Sequence, residues 1–368
     1  MRKREFKNIE WSVVIIAIIL CIIGLVALFS ATQETEHDEF NKQCIWLAVS
    51  LVIMIIVMLI DYETMAKVAP IIYGIFILLL IGVLFTTPVN GATSWFNIGF
   101  FSFQPGEFAK VFVILFLALA ITRIKQKGNK EINKISKLAI VFAIVGVPIL
   151  LIIKQPDYGT AAAFLVATAL MLVAAGIDKR YIISIILLII VSVPLLYNFV
   201  LPEHAKTRID IFLNPESDPR GAGYNIIQSK LAIGAGKLFG MGVLKGNQTQ
   251  LGFLYPKTTD FIFSVISEEM GFVVAGSVII IYVIMITKAI FIAKTAKDDL
   301  GSLIAAGIAG IFIFHMVENI GMTMGLLPIT GIPLPFVSYG GSSMLTNLTL
   351  IAILLNISTR RKKAMFIE

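Results

Sequence analysis

The sequence predicts an all-α polytopic membrane protein of about ten transmembrane helices, on three observations. Of its 368 residues, 58% are hydrophobic and 14% charged, against roughly 25% charged in soluble domains. Mean hydropathy is +0.91. Apolar runs near the ~20 residues that a spanning helix needs recur along the chain. They fall near 12–30, 43–60, 68–86, 108–122, 138–153, 160–177, 181–200, 262–287, 300–320 and 340–357. The first run follows a basic N-terminus, as in a signal peptide, but exceeds the usual h-region of about 7–15 residues. We read it as an uncleaved first span.

Orientation follows from the basic residues. With a cytoplasmic N-terminus, twenty of the thirty Lys and Arg fall on the inside, which predicts an N-in, C-in topology. Seven of the others lie in the single segment 201–260. The net charge of +7 then reflects basic cytoplasmic loops and not an affinity for nucleic acid. Two cysteines, Cys21 and Cys44, cannot build a disulfide framework or a Cys-based metal site, and three scattered histidines argue against zinc. No internal repeat is visible, which disfavours a secondary transporter. The chain reads as one membrane domain over 1–368, with 201–260 as a large extracytoplasmic loop between helices 7 and 8. Segment 87–107 is a second outer element.

The loop 201–260 is the main anomaly, since connections of that length are uncommon unless functional. It carries seven basic residues, five acidic ones and eight glycines. Outside positive charge needs a cause, and an anionic ligand is one: Lys and Arg clamp phosphate oxygens, and Gly lets backbone N–H groups approach. A solvated loop with balanced charge is the alternative. Gly234-Ala-Gly-Lys-Leu-Phe-Gly240 has neither the Walker nor the Rossmann spacing, and a nucleotide site is rejected. Asp260, Ser264, Ser267 and Glu268 share one face of a helix entering the membrane. A carboxylate there can serve as a general base or as a helix N-cap. Glu107 and Lys110, at i and i+3, read as an intrahelical pair, and Trp95 as an interfacial anchor. His315, Glu318 and Asn319 should face the bundle interior, His315 in a packing role and Glu318 as the stronger functional candidate.

Several runs together resemble the SEDS family (shape, elongation, division and sporulation). They are Gln155-Pro-Asp-Tyr-Gly-Thr160, Phe212 to Ser229, Thr259-Asp-Phe-Ile-Phe263 with Glu268-Glu269, and Asn319 through Ser343. The version Thr330-Gly-Ile-Pro-Leu-Pro335 is closer to the RodA branch than to the FtsW branch. The resemblance implies a peptidoglycan glycosyltransferase that polymerises lipid II outside the membrane, with Asp260 as the essential acid. It also implies undecaprenyl-linked glycan and membrane lipids as partners, a class B penicillin-binding protein as the transpeptidase, and a divalent cation (Mg or Mn) without an organic cofactor. Candidate substrate contacts are Arg208, Arg220, Lys230, Lys257, Trp95, Glu107, Lys110, Gln228, Glu268, Ser338 and Ser342, the first three as a pyrophosphate clamp. A lipid II flippase and a scaffold for the transpeptidase are the competing readings. The chain departs from the family pattern at Ser94, where Arg is usual, at Gly106, and over Tyr255–Thr258. Lys257 is expected to replace part of the charge missing at Ser94.

Overall fold

A computed structural model describes residues 9–88, 92–98, 101–184, 187, 197, 203–221 and 223–360, with backbone only at Ile98, Phe101, Glu203, His204, Ala205 and Arg208. The long helices are α1 (Trp11–Ala31), α2 (Asp38–Leu59), α3 (Tyr62–Gly82), α4 (Pro105–Lys125), α5 (Ile135–Ile153) and α6 (Tyr158–Ala175). The shorter helices α7 (Glu203–Leu213), α8 (Tyr224–Ala235) and α9 (Asn247–Gln250) follow, and α10 (Ile262–Thr295), α11 (Asp299–Thr323) and α12 (Gly341–Ser358) complete the bundle. Strands β1 (Phe96–Ile98) and β2 (Phe101–Phe103) pair antiparallel, Phe96 opposite Phe103. Among the described residues, eight helices are long and apolar enough to cross a membrane. The chain is a multi-pass helical membrane protein. The seventh expected run, 181–200, falls largely outside the described residues.

Apolar side chains point outward on the peripheral helices, as hydrocarbon surroundings allow: Ile71 on α3 is 70% exposed and Ile45 on α2 64%. Helix α11 sits centrally against α6 and α10, and α12 against α2. Small residues set these contacts. A methyl group at Gly310 would stand 2.7 Å from the Ala167 Cα of α6, and one at Gly307 2.9 Å from Ile114 of α4.

Helix α10 is 34 residues long, about 51 Å at 1.5 Å per residue and well beyond a ~30 Å hydrocarbon core. It breaks at Gly271, whose φ is 76° and ψ −179°. The break would strand backbone groups in the interior, each costly without water. Segment 237–242 supplies their partners. Met241 N–H donates to Glu268 O at 2.9 Å and Gly242 N–H to Glu269 O at 3.0 Å. In return Phe272 N–H donates to Lys237 O at 2.8 Å and Val273 N–H to Leu238 O at 3.1 Å. The glycines make this approach possible. A methyl group at Gly236 would meet Ser267 O at 1.8 Å, and one at Gly240 would meet Glu269 O at 2.1 Å. Their closeness therefore serves helix backbone, whereas the sequence pointed to an anion.

Candidate active site

The C-terminal end of α1, the N-terminal ends of α2, α4, α6, α10 and α12, and the C-terminal end of α11 all open at one end of the bundle. Their connectors enclose a cleft of about 640 Å³. Its acidic lining comprises Glu34, Glu39, Glu107, Asp157 and Asp260. Trp95, Ser94, Gln104, Lys257, Thr330, Gly331, Tyr339 and Ser343 also contribute.

Asp260 is half-buried, in a turn two residues before α10 begins. The cap position of α10 is Phe261, with no side-chain cap, so the N-cap role open to Asp260 is not the one it takes. The segment 330–340, rich in Pro and Gly and therefore non-helical, fixes this turn instead. Tyr339 N–H donates to Thr258 O at 2.9 Å. Ser338 Oγ donates to Thr259 O at 2.7 Å and accepts Leu334 N–H at 2.8 Å. Asn319 Nδ2 reaches Asp260 O at 3.0 Å and Ile332 O at 2.8 Å. Gly331, at φ +72°, lies so near that a methyl group there would stand 3.4 Å from Asp260 Oδ2. The same segment is held from α2, where Gln43 donates to Ser338 O and accepts Gly340 N–H, and from α10 through Tyr282 and Pro335.

Asp157 lies elsewhere on the lining and caps α6, accepting Thr160 N–H at 3.1 Å. Gln104 Nε2 donates to its other oxygen at 3.0 Å. Burial pushes the Asp157 carboxyl above its ordinary value; the Thr160 hydrogen bonds oppose that shift and the charge of Glu107 adds to it. Burial, with Glu39 nearby, likewise raises the Tyr339 phenol. Glu107 is buried at the start of α4, with Oε1 2.7 Å from the Lys110 ammonium. Lys110 lies behind it, fully buried, its Nζ 3.1 Å from His315 Nε2. Thr330 Oγ1 donates to Glu318 at 2.8 Å.

The cleft thus gathers Asp260, Trp95, Glu107 and Lys257 of the expected residues, with Lys110 one layer back. Lys257 is its lining cation among the described residues, near Glu34 at 3.2 Å and Thr249 O at 2.9 Å. Ser94 lines the same cleft. Ser342 is buried and receives Gln104 N–H at 3.3 Å, so Ser338 and Ser342 bind backbone.

Several expected contacts stand elsewhere. Glu268 is fully buried, its carboxylate taken up by Gln248 N–H, Thr249 N–H and Thr249 Oγ1 at 2.6–3.0 Å. Its helical face packs into protein and not toward the cleft. The two clamp residues with described side chains are also displaced. Ser229 bonds to Ser264 and to Thr323 O, turning that face of α8 inward, so Lys230 is exposed beside Gly325. Arg220 is exposed in the Asp218–Gly221 turn, and Gln228, on α8, does not line the cleft. The Arg208 side chain lies outside the described residues. Asp157 stood in the sequence only within the family run Gln155–Thr160 and not among the candidate residues, since an Asp three residues before Thr also suits a helix cap. It is a cap, and it faces the cleft as well.

The family model described as "Cell cycle protein", covering FtsW, RodA and SpoVE, matches residues 10–363. The peptidoglycan glycosyltransferase MrdB of Escherichia coli K12 is 34% identical over 96% of this chain and 95% of its own. The stage V sporulation protein E of Bacillus subtilis is 36% identical, covering 94% and 95%. A chain of a solved peptidoglycan synthase complex, described as coordinating polymerization and crosslinking, superposes with a TM-score of 0.82 at 26% identity, over 95% of this chain and 97% of that one. RodA of Thermus thermophilus gives 0.71 at 25% identity, over 95% and 96%. The chain belongs to the FtsW/RodA/SpoVE family.

Proposed function

We propose that this chain, a peptidoglycan glycosyltransferase, polymerises lipid II at the cleft with Asp260 as general base. The observation that carries the reading is that Asp260 lines a cleft built from seven helix ends and is held there by the backbone on both sides. Asp260 takes the proton of the acceptor GlcNAc 4-hydroxyl. The resulting oxygen attacks the anomeric carbon of the donor, and undecaprenyl pyrophosphate leaves. An α-linked donor giving a β-linked strand makes this a single inverting displacement. Lys257 offsets the leaving charge in place of the basic residue missing at Ser94.

Among the described residues no group of three or more His, Cys, Asp and Glu side chains forms a closed metal site, but Mg and Mn need only one or two carboxylates beside waters and substrate phosphates. A divalent cation belongs on the substrate, as the counter-ion of its pyrophosphate, and no role assigned to these residues passes through it. We further propose the ten-span, N-in, C-in arrangement, with the cleft opening extracytoplasmically and a class B penicillin-binding protein as partner. The weighting of Lys and Arg toward the opposite end of the bundle supports that orientation.

The test uses the purified full chain with and without that partner, labelled lipid II, and glycan products resolved by length. Wild type should make polymer and Asp260→Asn should lose about 10²–10⁴-fold, the usual contribution of a positioned base. Polymer at wild-type rate from Asp260→Asn removes that residue from the mechanism. No polymer from wild type, with lipid II crossing vesicles instead, overturns the enzyme reading in favour of transport.

A further inference from the structure

His315 does not line the cleft, yet it ends a chain of contacts that does. Its Nδ1 lies 3.0 Å from Pro333 O. A carbonyl oxygen only accepts, so Nδ1 carries the hydrogen. The other nitrogen, Nε2, is then the bare one and accepts from the Lys110 ammonium at 3.1 Å. A proton on both nitrogens would set N–H against that ammonium. Lys110 in turn donates to Glu107 Oε1 at 2.7 Å. Lys110 and His315 are essentially inaccessible to solvent, and Glu107 keeps only a 2% exposed edge, where it meets the cleft.

Glu107 Oε2 finds no hydrogen-bond partner among the described residues, although Glu107 contributes to the cleft wall. A buried carboxylate oxygen left unpaired is costly, and the group it lacks is an O–H or N–H donor. A sugar in the cleft supplies hydroxyls. Helix α4 alone would not settle where this carboxylate points, since Lys110 is a flexible side chain with three donors. His315 removes that freedom from a second helix.

We propose that His315 is a positioning residue for glycosyl transfer: by accepting a hydrogen bond from Lys110 it fixes the ammonium that holds Glu107. Glu107 is thereby aimed from the cleft wall at a hydroxyl of the sugar substrate. The inference rests on the glycosyltransferase reading above.

Two amides dissect the chain of contacts. In His315→Asn the amide nitrogen stands where Nδ1 does, keeping the Pro333 contact and losing the acceptor for Lys110. In His315→Gln the amide oxygen reaches the place of Nε2 and restores it. With the full chain, its partner and labelled lipid II, kcat should fall at least about tenfold in His315→Asn, with KM within about twofold. His315→Gln should return to within about threefold of wild type, and both should unfold near the wild-type temperature. On a Glu107→Gln background, His315→Asn should cost less than about twofold further, because the two act as one unit. Equal rates for the Asn and Gln variants, or losses that multiply in the double variant, overturn the proposal. Should His315→Asn not fold, His315→Gln decides alone: a tenfold loss in a folded protein refutes it, a near-normal rate supports it. Should Glu107→Gln be inactive, the Asn–Gln contrast decides. An inactive wild type strikes the enzyme reading itself, which separates the two failures.

Discussion

Asn319 holds Asp260 by its main-chain carbonyl, so the proposed base is aimed by the placement of its backbone. The same amide holds Ile332, so one side chain sets the spacing between the two segments that meet at the carboxylate. Asn319→Ala should therefore cost about 1–3 kcal/mol for the buried carbonyls left unpaired, read by thermal unfolding in detergent. It should also lower kcat more than it raises KM. Asp157 gives a pH prediction of definite sign. Its folded carboxyl titrates above the ordinary value near 3.8, so its contribution to stability is full below that value and is lost as pH rises through the raised one. Unfolding temperatures should show wild type losing stability relative to Asp157→Asn over that window, and a parallel pair of curves would refute the assignment. Asp260 was legible in the sequence because charge at a span's mouth needs a reason, whereas Glu107 and Lys257 became candidates through the family resemblance. Lys230 misled because the direction of a side chain on α8 is set by what Ser229 packs against.

The break in α10 and the glycine-bearing segment 237–242 beside it form one element, although they lie about thirty residues apart. The segment exchanges backbone hydrogen bonds with residues 268–273, and the glycines at 236 and 240 let it approach closely enough. Gly240→Ala adds a methyl group at a φ of +80° against Glu269 O, and should destabilise by well over about 1 kcal/mol. Gly234→Ala is the control. It lies within α8 with nothing within 4 Å of the added carbon, so the change should be neutral or stabilise by roughly 0.5–1 kcal/mol. Equal unfolding temperatures for the two variants would argue against the segment's role. A glycine run records closeness without naming the neighbour, which is why the sequence alone left an anion open. Spans were legible from hydropathy, but their ends were not: α2 begins at Asp38, and α4 begins at Pro105 with Glu107 in its first turn, residues that a hydropathy run excludes.

At the scale of the whole molecule the proposed orientation can be read directly. With Cys21 and Cys44 replaced, a cysteine at Ser217 should react with an impermeant maleimide on intact cells. One at Gln126 should react only after permeabilisation. The reverse pattern would place the cleft on the cytoplasmic side. The bundle's existence was evident from composition, whereas the cleft was not, because it is made by residues 31–39, 92–107, 156–160, 252–260 and 330–343 meeting from five separate connectors. No local pattern encodes such a meeting. One consequence concerns how the protein is made. The turn bearing Asp260 leaves the ribosome well before Asn319, Ser338 and Tyr339, which hold it in place. A partly translated chain therefore carries the acidic residue without its alignment, and competence arrives only when the last helix has been inserted. Biosynthesis itself thus delays the onset of polymerisation until the enzyme is whole.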